Sequence, residues 1–320
     1  MKKRPIVTLL TDFGTKDSYV GIMKGIISGI NPDANIIDLC HEIGRQDIFE
    51  GAYVLYSSYK FFPAGTIHVA VVDPGVGTKR KIICAKIRDY LFLAPDNGIL
   101  SLVLTDEKPR LIIEVTNKKH FLPEISNTFH GRDIFAPVAA YLSKGIDPLK
   151  LGKRVKRIKE IDFPVPTFFE KRVETRTNKF VHATPTKRGV LKGEVIYIDA
   201  FGNLITNIRR DVFNKHLGLT TPLSPPSQGG DEGEVIDYID LFPPLQGGDK
   251  GEVKKIEDVI VTAGRKKISG ISRSYADVQV GEPLAIFGSS GYLEISVNRG
   301  NARDVLGLKK GDRVTVNYKI

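Results

Sequence analysis

Thr66-Ile67-His68-Val69-Ala70-Val71-Val72-Asp73-Pro74-Gly75-Val76-Gly77-Thr78-Lys79-Arg80 joins an apolar, β-branched run to a carboxylate, a proline–glycine turn and a basic residue. A short run of this kind, closed by Pro and Gly, has the pattern of a buried strand. In open α/β sheets, ligands bind beyond the carboxyl ends of the strands. Asp73 and Arg80 therefore stand where chemistry is expected.

The flanking sequence extends the same architecture. Upstream, Ile6-Val7-Thr8-Leu9-Leu10 is a strand that ends in Thr11-Asp12-Phe13-Gly14. A helix follows, capped by Asp17 or Ser18, with Tyr19, Ile22, Met23, Ile26, Ile27 and Ile30 on one face. Gly21, Gly25 and Gly29 fall on another face, which lets a neighbouring backbone approach closely or simply packs on the sheet. Asn35-Ile36-Ile37-Asp38-Leu39-Cys40 is the next strand, and Ile48, Ala52, Leu55, Tyr59 and Phe62 mark a second helix. Downstream, Lys81 to Asp96 gives further strand signal, closing in Ala94-Pro95-Asp96-Asn97-Gly98, and Leu111 to Val115 is another strand. Asp133 to Leu142 is helical, kept short or kinked by Pro137. Strands alternating with helices predict a Rossmann-like α/β domain with a mainly parallel sheet covered on both faces.

The pattern changes at Phe163-Pro164-Val165-Pro166. Later runs, such as Gly193-Glu194-Val195-Ile196-Tyr197-Ile198-Asp199 and Asp312-Arg313-Val314-Thr315-Val316-Asn317-Tyr318, are short, alternating and separated by turn signals. They predict a smaller all-β barrel or sandwich. The expected organisation is an N-terminal α/β catalytic domain at 1–165, a linker at 166–189 and a C-terminal β-barrel domain at 190–320. Pro225-Pro226-Ser227-Gln228-Gly229-Gly230-Asp231 recurs, slightly altered, as Pro243-Pro244-Leu245-Gln246-Gly247-Gly248-Asp249. These copies mark a low-complexity insertion at about 219–255, too polar to bury a core of its own.

Composition is that of a globular protein, with a formal charge of +10. Such a charge suits an acidic partner, but the basic residues are spread out. The densest cluster, Lys153-Arg154-Val155-Lys156-Arg157-Ile158-Lys159, lies beside the linker, and no nucleic-acid signature accompanies it. No nucleic-acid partner is expected. Cys40 and Cys84 sit in strand-like stretches without metal spacing, as buried free thiols. The N-terminus lacks the apolar segment of a signal peptide, and no run is long enough to span a bilayer. A cytoplasmic protein with no membrane partner is expected.

Standard chemical motifs fail. The phosphate loop Gly-x-x-x-x-Gly-Lys-Ser/Thr is absent, and Gly75 and Gly77 lack the third glycine of a dinucleotide loop. No nucleophile elbow Gly-x-Ser-x-Gly occurs, and the six histidines show no metal spacing. What remains is a polar set: Asp12, Asp17, Asp73, Arg80, Asp96, Asn97 and Thr128-Phe129-His130-Gly131-Arg132-Asp133. Singly, each has a plain structural reading. Asp12 is a turn residue or a ligand, His130 a structural or solvated loop residue, and Asp133 a helix N-cap. Together they close successive strands of one sheet.

In that order the motifs resemble the S-adenosyl-L-methionine (SAM) hydroxide adenosyltransferase family, the SAM hydrolases related to fluorinase and chlorinase. The resemblance rests on Thr11-Asp12-Phe13-Gly14, Val72-Asp73-Pro74-Gly75-Val76-Gly77-Thr78 with Arg80, Pro95-Asp96-Asn97-Gly98 and Phe129-His130-Gly131-Arg132-Asp133. In the second half, Asp199-Ala200-Phe201-Gly202-Asn203-Leu204-Ile205-Thr206-Asn207 and Gly288-Ser289-Ser290-Gly291-Tyr292-Leu293-Glu294-Ile295 agree. The resemblance implies hydrolysis of SAM to adenosine and L-methionine, with SAM as substrate and no cofactor or metal. It places the family's side-chain triad on Asp73, Arg80 and His130, and leaves open which member takes the proton from water. It implies that Asp12 accepts both ribose hydroxyls. Asp17, Asp199 and Ser289 contact the methionine amino and carboxyl groups, and Asn203 contacts the adenine edge. Tyr275 stacks on adenine, and Glu294 and Val297 line the nucleoside pocket. Tyr275 and Val297 are equally well read as barrel core, and Asp199 as a turn residue before Gly202. The resemblance also implies a homotrimer with active sites between subunits.

Two rival readings are a non-catalytic adenosine- or SAM-binding protein, including an RNA-associated one, and a SAM-dependent halogenase. Halogenating relatives carry an aromatic residue and a more polar turn where this chain has Asp73-Pro74-Gly75-Val76. A carboxylate beside the nucleophile repels a halide, and a binding module has no need of the triad.

Overall fold

The computed structural model describes residues 4–173, 186–216 and 257–319. The chain divides between Phe163 and Pro164 into two compact units. The first contains β1 (Ile6–Thr11), α1 (Tyr19–Ile30), β2 (Asn35–Cys40), α2 (Ile48–Ser58), β3 (Ile67–Val71), β4 (Ile82–Ile87), β5 (Tyr90–Pro95), α3 (Ser101–Asp106), β6 (Leu111–Val115), α4 (Ala136–Ser143) and β7 (Gly152–Arg154). Its sheet has the order β2-β1-β3-β5-β4-β6-β7.

The strands β2, β1, β3 and β5 run parallel. Beyond them the sheet turns antiparallel, through β5–β4, β4–β6 and β6–β7. The sheet is thus mixed. The strand signal over residues 81–96 is two strands joined by Arg88 and Asp89 alone, with Ile87 opposite Tyr90. A two-residue connection permits only an antiparallel pair.

Strand alternation sorts the core. Val7 and Leu9 pack with Val69, Val71, Met23, Ile27 and Phe135. Thr8 and His68 take the opposite phase and hydrogen-bond each other, Thr8 Oγ1 to His68 Nδ1 at 2.8 Å. His68 is enclosed by Tyr59, Phe62, Tyr90 and Phe92 and stacks on Phe92. On α1, Val20, Met23 and Ile27 are buried, whereas Tyr19 and Ile22 are exposed. A Cβ placed on Gly21, Gly25 or Gly29 meets open space, so among the described residues this stripe hosts no close backbone approach. Cys40 and Cys84 are free. Cys84 is buried and its thiol is pushed up to about 12 by that burial, whereas Cys40 is only half-buried.

The second unit contains β8 (Thr167–Val173), β9 (Thr186–Ile198), β10 (Leu204–Arg209), α5 (Arg210–His216), β11 (Glu257–Ala263), β12 (Lys266–Ser269), β13 (Pro283–Phe287), β14 (Tyr292–Val297), α6 (Ala302–Leu306) and β15 (Arg313–Lys319). The order is β12-β11-β15-β9-β10-β14-β13, with β8 also paired to β9. All these pairings are antiparallel. Ser272, just after β12, bridges to Ile286 of β13, so the sheet nearly closes into a barrel around Leu191, Val195, Leu204, Val261, Leu293, Ile295 and Val316. The fold is α/β followed by all-β, as expected.

The stretch expected as a linker, 166–189, instead contributes β8 and the start of β9. Phe168-Phe169 within it is apolar enough to pair into the barrel sheet; the prolines just before it had suggested a linker. The Pro/Gly-rich insertion at about 219–255 lies outside the described residues.

Candidate active site

Asp12 directly follows β1, and Asp73 lies two residues beyond β3, its parallel neighbour. The sheet therefore delivers both carboxylates to one rim. Asn97, in the turn after β5, donates from Nδ2 to the Val72 carbonyl at 2.7 Å, bracing the peptide just before Asp73. Asp96 has a framework role too, accepting from the Lys159 amide.

The segment after Asp73 is a compact double turn. The Val76 amide bonds to the Asp73 carbonyl and the Thr78 amide to the Gly75 carbonyl. Gly77 has φ +76°, and a Cβ there would stand 2.2 Å from the Asn127 carbonyl oxygen. Only glycine lets this turn lie against the 126–130 loop. The turn folds Arg80 back onto Asp73. Arg80 Nε donates to Asp73 Oδ1 at 2.8 Å and Arg80 Nη2 donates to Asp73 Oδ2. The two side chains are only 10% and 5% exposed, which makes this a buried fork-to-carboxylate pair.

His130 arrives from the other side of the turn. Asp133, expected to cap a helix, instead lies inside a single π-helical turn, Gly131–Phe135, which feeds α4. Its fully buried carboxylate accepts the Ser126 amide at 2.7 Å and Arg132 Nε at 2.6 Å, and so ties down the loop that carries His130. Pro137, the second residue of α4, has no N–H to offer the Asp133 carbonyl four residues back, and that carbonyl accepts the Leu122 amide at 2.9 Å instead. His130 Nδ1 lies 3.0 Å from Arg80 Nη2. Burial first, and the Arg80 charge second, lower the pKa of the imidazole despite the opposing pull of Asp73 and Asp133. A guanidinium has only donors, so Nδ1 must accept, and neutral His130 carries its proton on Nε2.

Asp12, Asp17, Asp73 and His130 line one cavity of about 330 Å³, with Arg80 behind Asp73. Several other lining residues were not legible as site residues in the sequence. Phe13, Tyr19 and Phe129 form an aromatic wall with ring centroids 5.0–5.9 Å apart. Phe13 and Phe129 stand inside the quoted motifs, whereas the spacing of Tyr19 marks only a helix face. Arg45 and Gln46 also line the cavity; nothing in their sequence context marked them. Gln46 has φ 63°, and this turn aims its amide at Asp12 Oδ2, 2.8 Å away.

The remaining expected residues belong to the second unit. Asp199 Oδ1 accepts the amides of Phe201 and Asn203, and Oδ2 accepts Asn203 Nδ2. Asp199 and Asn203 thus partner each other in a turn closed by Gly202 at φ +83°. Glu294 is buried, and its Oε1 accepts both the Tyr275 hydroxyl at 2.7 Å and the Ser296 hydroxyl at 2.6 Å. Burial and Glu294 push the Tyr275 hydroxyl up to about 12, with a smaller push from Asp199. Ser289 is exposed in the turn between β13 and β14. Val297 is 3% exposed and belongs to the barrel core.

Residues 7–152 match the SAM hydroxide adenosyltransferase N-terminal domain, and residues 193–228 and 234–315 match the C-terminal domain of the same name. Fold and matches together define a two-unit enzyme with a polar cavity beyond the strand ends of its α/β unit. The chain belongs to the SAM hydroxide adenosyltransferase family. It is 32% identical over 315 residues to an (R)-S-adenosyl-L-methionine hydrolase of Thermus thermophilus, covering 96% of this chain and 97% of that one. A fluorinase of Actinopolyspora mzabensis is 26% identical, covering 98% and 97%. Among solved structures, an uncharacterized conserved protein from Thermotoga maritima superposes with a TM-score of 0.74 at 35% identity, covering 97% of this chain and 99% of that one.

Proposed function

We propose that the protein hydrolyses S-adenosyl-L-methionine to adenosine and L-methionine. The observation that carries this reading is the Asp73–Arg80–His130 trio, beside a cavity that also holds Asp12. The names of its hydrolase relatives agree with it. A water oxygen bonds to the ribose C5′ while the C5′–S bond breaks, and its electron pair neutralises the sulfonium. Methionine leaves as a neutral thioether, so the reaction needs neither an acid for the leaving group nor a cofactor or metal. The water must be aligned and must lose a proton. His130 Nε2–H donates to the nucleophilic oxygen. Asp73 keeps lone pairs beyond those engaged by Arg80 and accepts the proton side of the water. Arg80 holds the carboxylate in place and favours negative charge on the nucleophile. Alignment of nucleophile and carbon contributes several kcal/mol, up to about 7–11 in the best intramolecular models.

Asp12 accepts the ribose hydroxyls, and Asp17 contacts the methionine end. Asp199, Asn203, Tyr275, Ser289 and Glu294 complete the substrate pocket from a neighbouring subunit of a homotrimer. The division of polar residues between two units supports that arrangement. Two free thiols suit a reducing cytoplasm.

Incubation with SAM in ¹⁸O-water, with and without chloride, tests the reading. Adenosine carrying ¹⁸O at its 5′-oxygen, together with methionine, supports hydrolysis. A 5′-halogenated nucleoside supports the halogenase reading. Unchanged SAM that raises the Tm supports a binder. Sedimentation of the purified protein tests the trimer.

A further inference from the structure

We propose that His41 is a positioning residue that fixes the ribose-facing carboxylate of Asp12 without touching substrate; this rests on the ribose role given to Asp12 above. His41 follows β2 and is 5% exposed. It grips the Asp12 turn at two places. Its Nδ1 lies 2.8 Å from the hydroxyl of Thr11, a fully buried residue. That hydroxyl also accepts the Phe13 amide at 3.3 Å. The His41 carbonyl accepts the Gly14 amide at 2.7 Å, where Gly14 has φ +70°. Residues on both sides of Asp12 are therefore tied to a single side chain and its own peptide.

The ring is held in turn. His41 Nε2 lies 2.9 Å from Asp38 Oδ1. Asp38 Oδ2 takes Lys24 Nζ of α1 at 2.6 Å. The same post-β2 segment brings the Gln46 amide onto Asp12 Oδ2. One oxygen of Asp12 is thereby oriented from Gln46, while the backbone under it is oriented from His41. A carboxylate that must accept two vicinal hydroxyls works only if aimed within a fraction of an ångström.

The test compares SAM with its 2′-deoxyribose analogue, using wild type, His41→Leu, His41→Asn and Thr11→Val. Wild type should favour the ribose substrate by roughly tenfold or more in KM, the worth of a hydrogen bond to a charged group. His41→Leu should raise the KM for SAM by about that factor, leave kcat within about twofold and abolish the preference. His41→Asn, whose amide can stand where Nδ1 stood, should restore most of the preference. Thr11→Val should lose it, and serves in place of His41→Leu if that variant does not fold. An equal KM increase on both substrates overturns the proposal, as does a loss confined to kcat. If wild type does not hydrolyse SAM, the proposed function fails but the coupling stays testable by calorimetry with adenosine and 2′-deoxyadenosine. There too, wild type must prefer the ribose and His41→Leu must not. A wild-type protein that binds neither nucleoside overturns both.

Discussion

Arg80 Nη2 stands 3.0 Å from His130 Nδ1, and this contact makes Nδ1 an acceptor and leaves the ring proton of the neutral imidazole on Nε2. Protonating Nδ1 would set two donors against each other, so the working form is neutral His130 with its proton on Nε2.

The first prediction is an acid limb in kcat/KM. Burial and Arg80 lower the pKa of His130 below the ordinary 6.5, so activity is full above that value and is lost as pH falls through the lowered one. The midpoint should lie below 6.5. By NMR titration of the ring, Arg80→Gln should move it upward, because the second-largest cause of the shift is removed while Asp73 remains. An unchanged or lower midpoint in that variant contradicts the contact.

Asp73→Ala should reduce hydrolysis by about 10²–10⁴-fold, the range for a positioned proton-transfer group, and His130→Ala by about 10²–10³-fold, the range for a single preorganised donor. SAM binding, measured by calorimetry, should persist in both. Wild-type turnover in either variant defeats the trio.

Gly77→Ala should lower both stability and activity. The added methyl meets the Asn127 carbonyl at 2.2 Å, and the backbone is at φ +76°. Alanine at positive φ costs more than about 1 kcal/mol. The turn must move, and Arg80 with it. Urea denaturation should show the loss, and the kcat deficit should exceed what the unfolded fraction accounts for.

His68 predicts a pH-dependent stability unrelated to catalysis. Unfolded, it titrates near 6.5; folded, burial pushes it down to about 3. Below 6.5 the unfolded chain takes up a proton that the folded one refuses. Stability should therefore fall by about 1.4 kcal/mol per pH unit from 6.5 towards 3 on account of this group. Denaturation of His68→Leu between pH 7 and 4.5 should show a slope shallower by that amount.

Much of this was legible in sequence because it was local. The strand ending at Asp73 announced itself by a β-branched run, and the barrel strands by alternation. The turn from Asp73 to Arg80 carries its own glycine signal. What escaped was set by contacts between distant segments. Asp133 looked like a cap because its partner, the Ser126 amide, is fixed by a π turn that has no simple sequence pattern. Gln46 reaches Asp12 through a positive φ that glutamine does not advertise. The strand β8 escaped because nearby prolines suggested a linker, whereas pairing with β9 decides its state. The mixed character of the first sheet depended on a two-residue connection inside one apolar stretch.

Separation along the chain also sets the order in which the trio fails. Asp73 and Arg80 are seven residues apart, whereas Arg80 and His130 are fifty apart. Bringing the ends of the longer segment together costs about 1.7 kcal/mol more in chain entropy. Heat or denaturant that loosens the molecule should therefore detach the imidazole first, leaving a carboxylate still clasped by its guanidinium but with no donor opposite it. Inactivation should precede global melting.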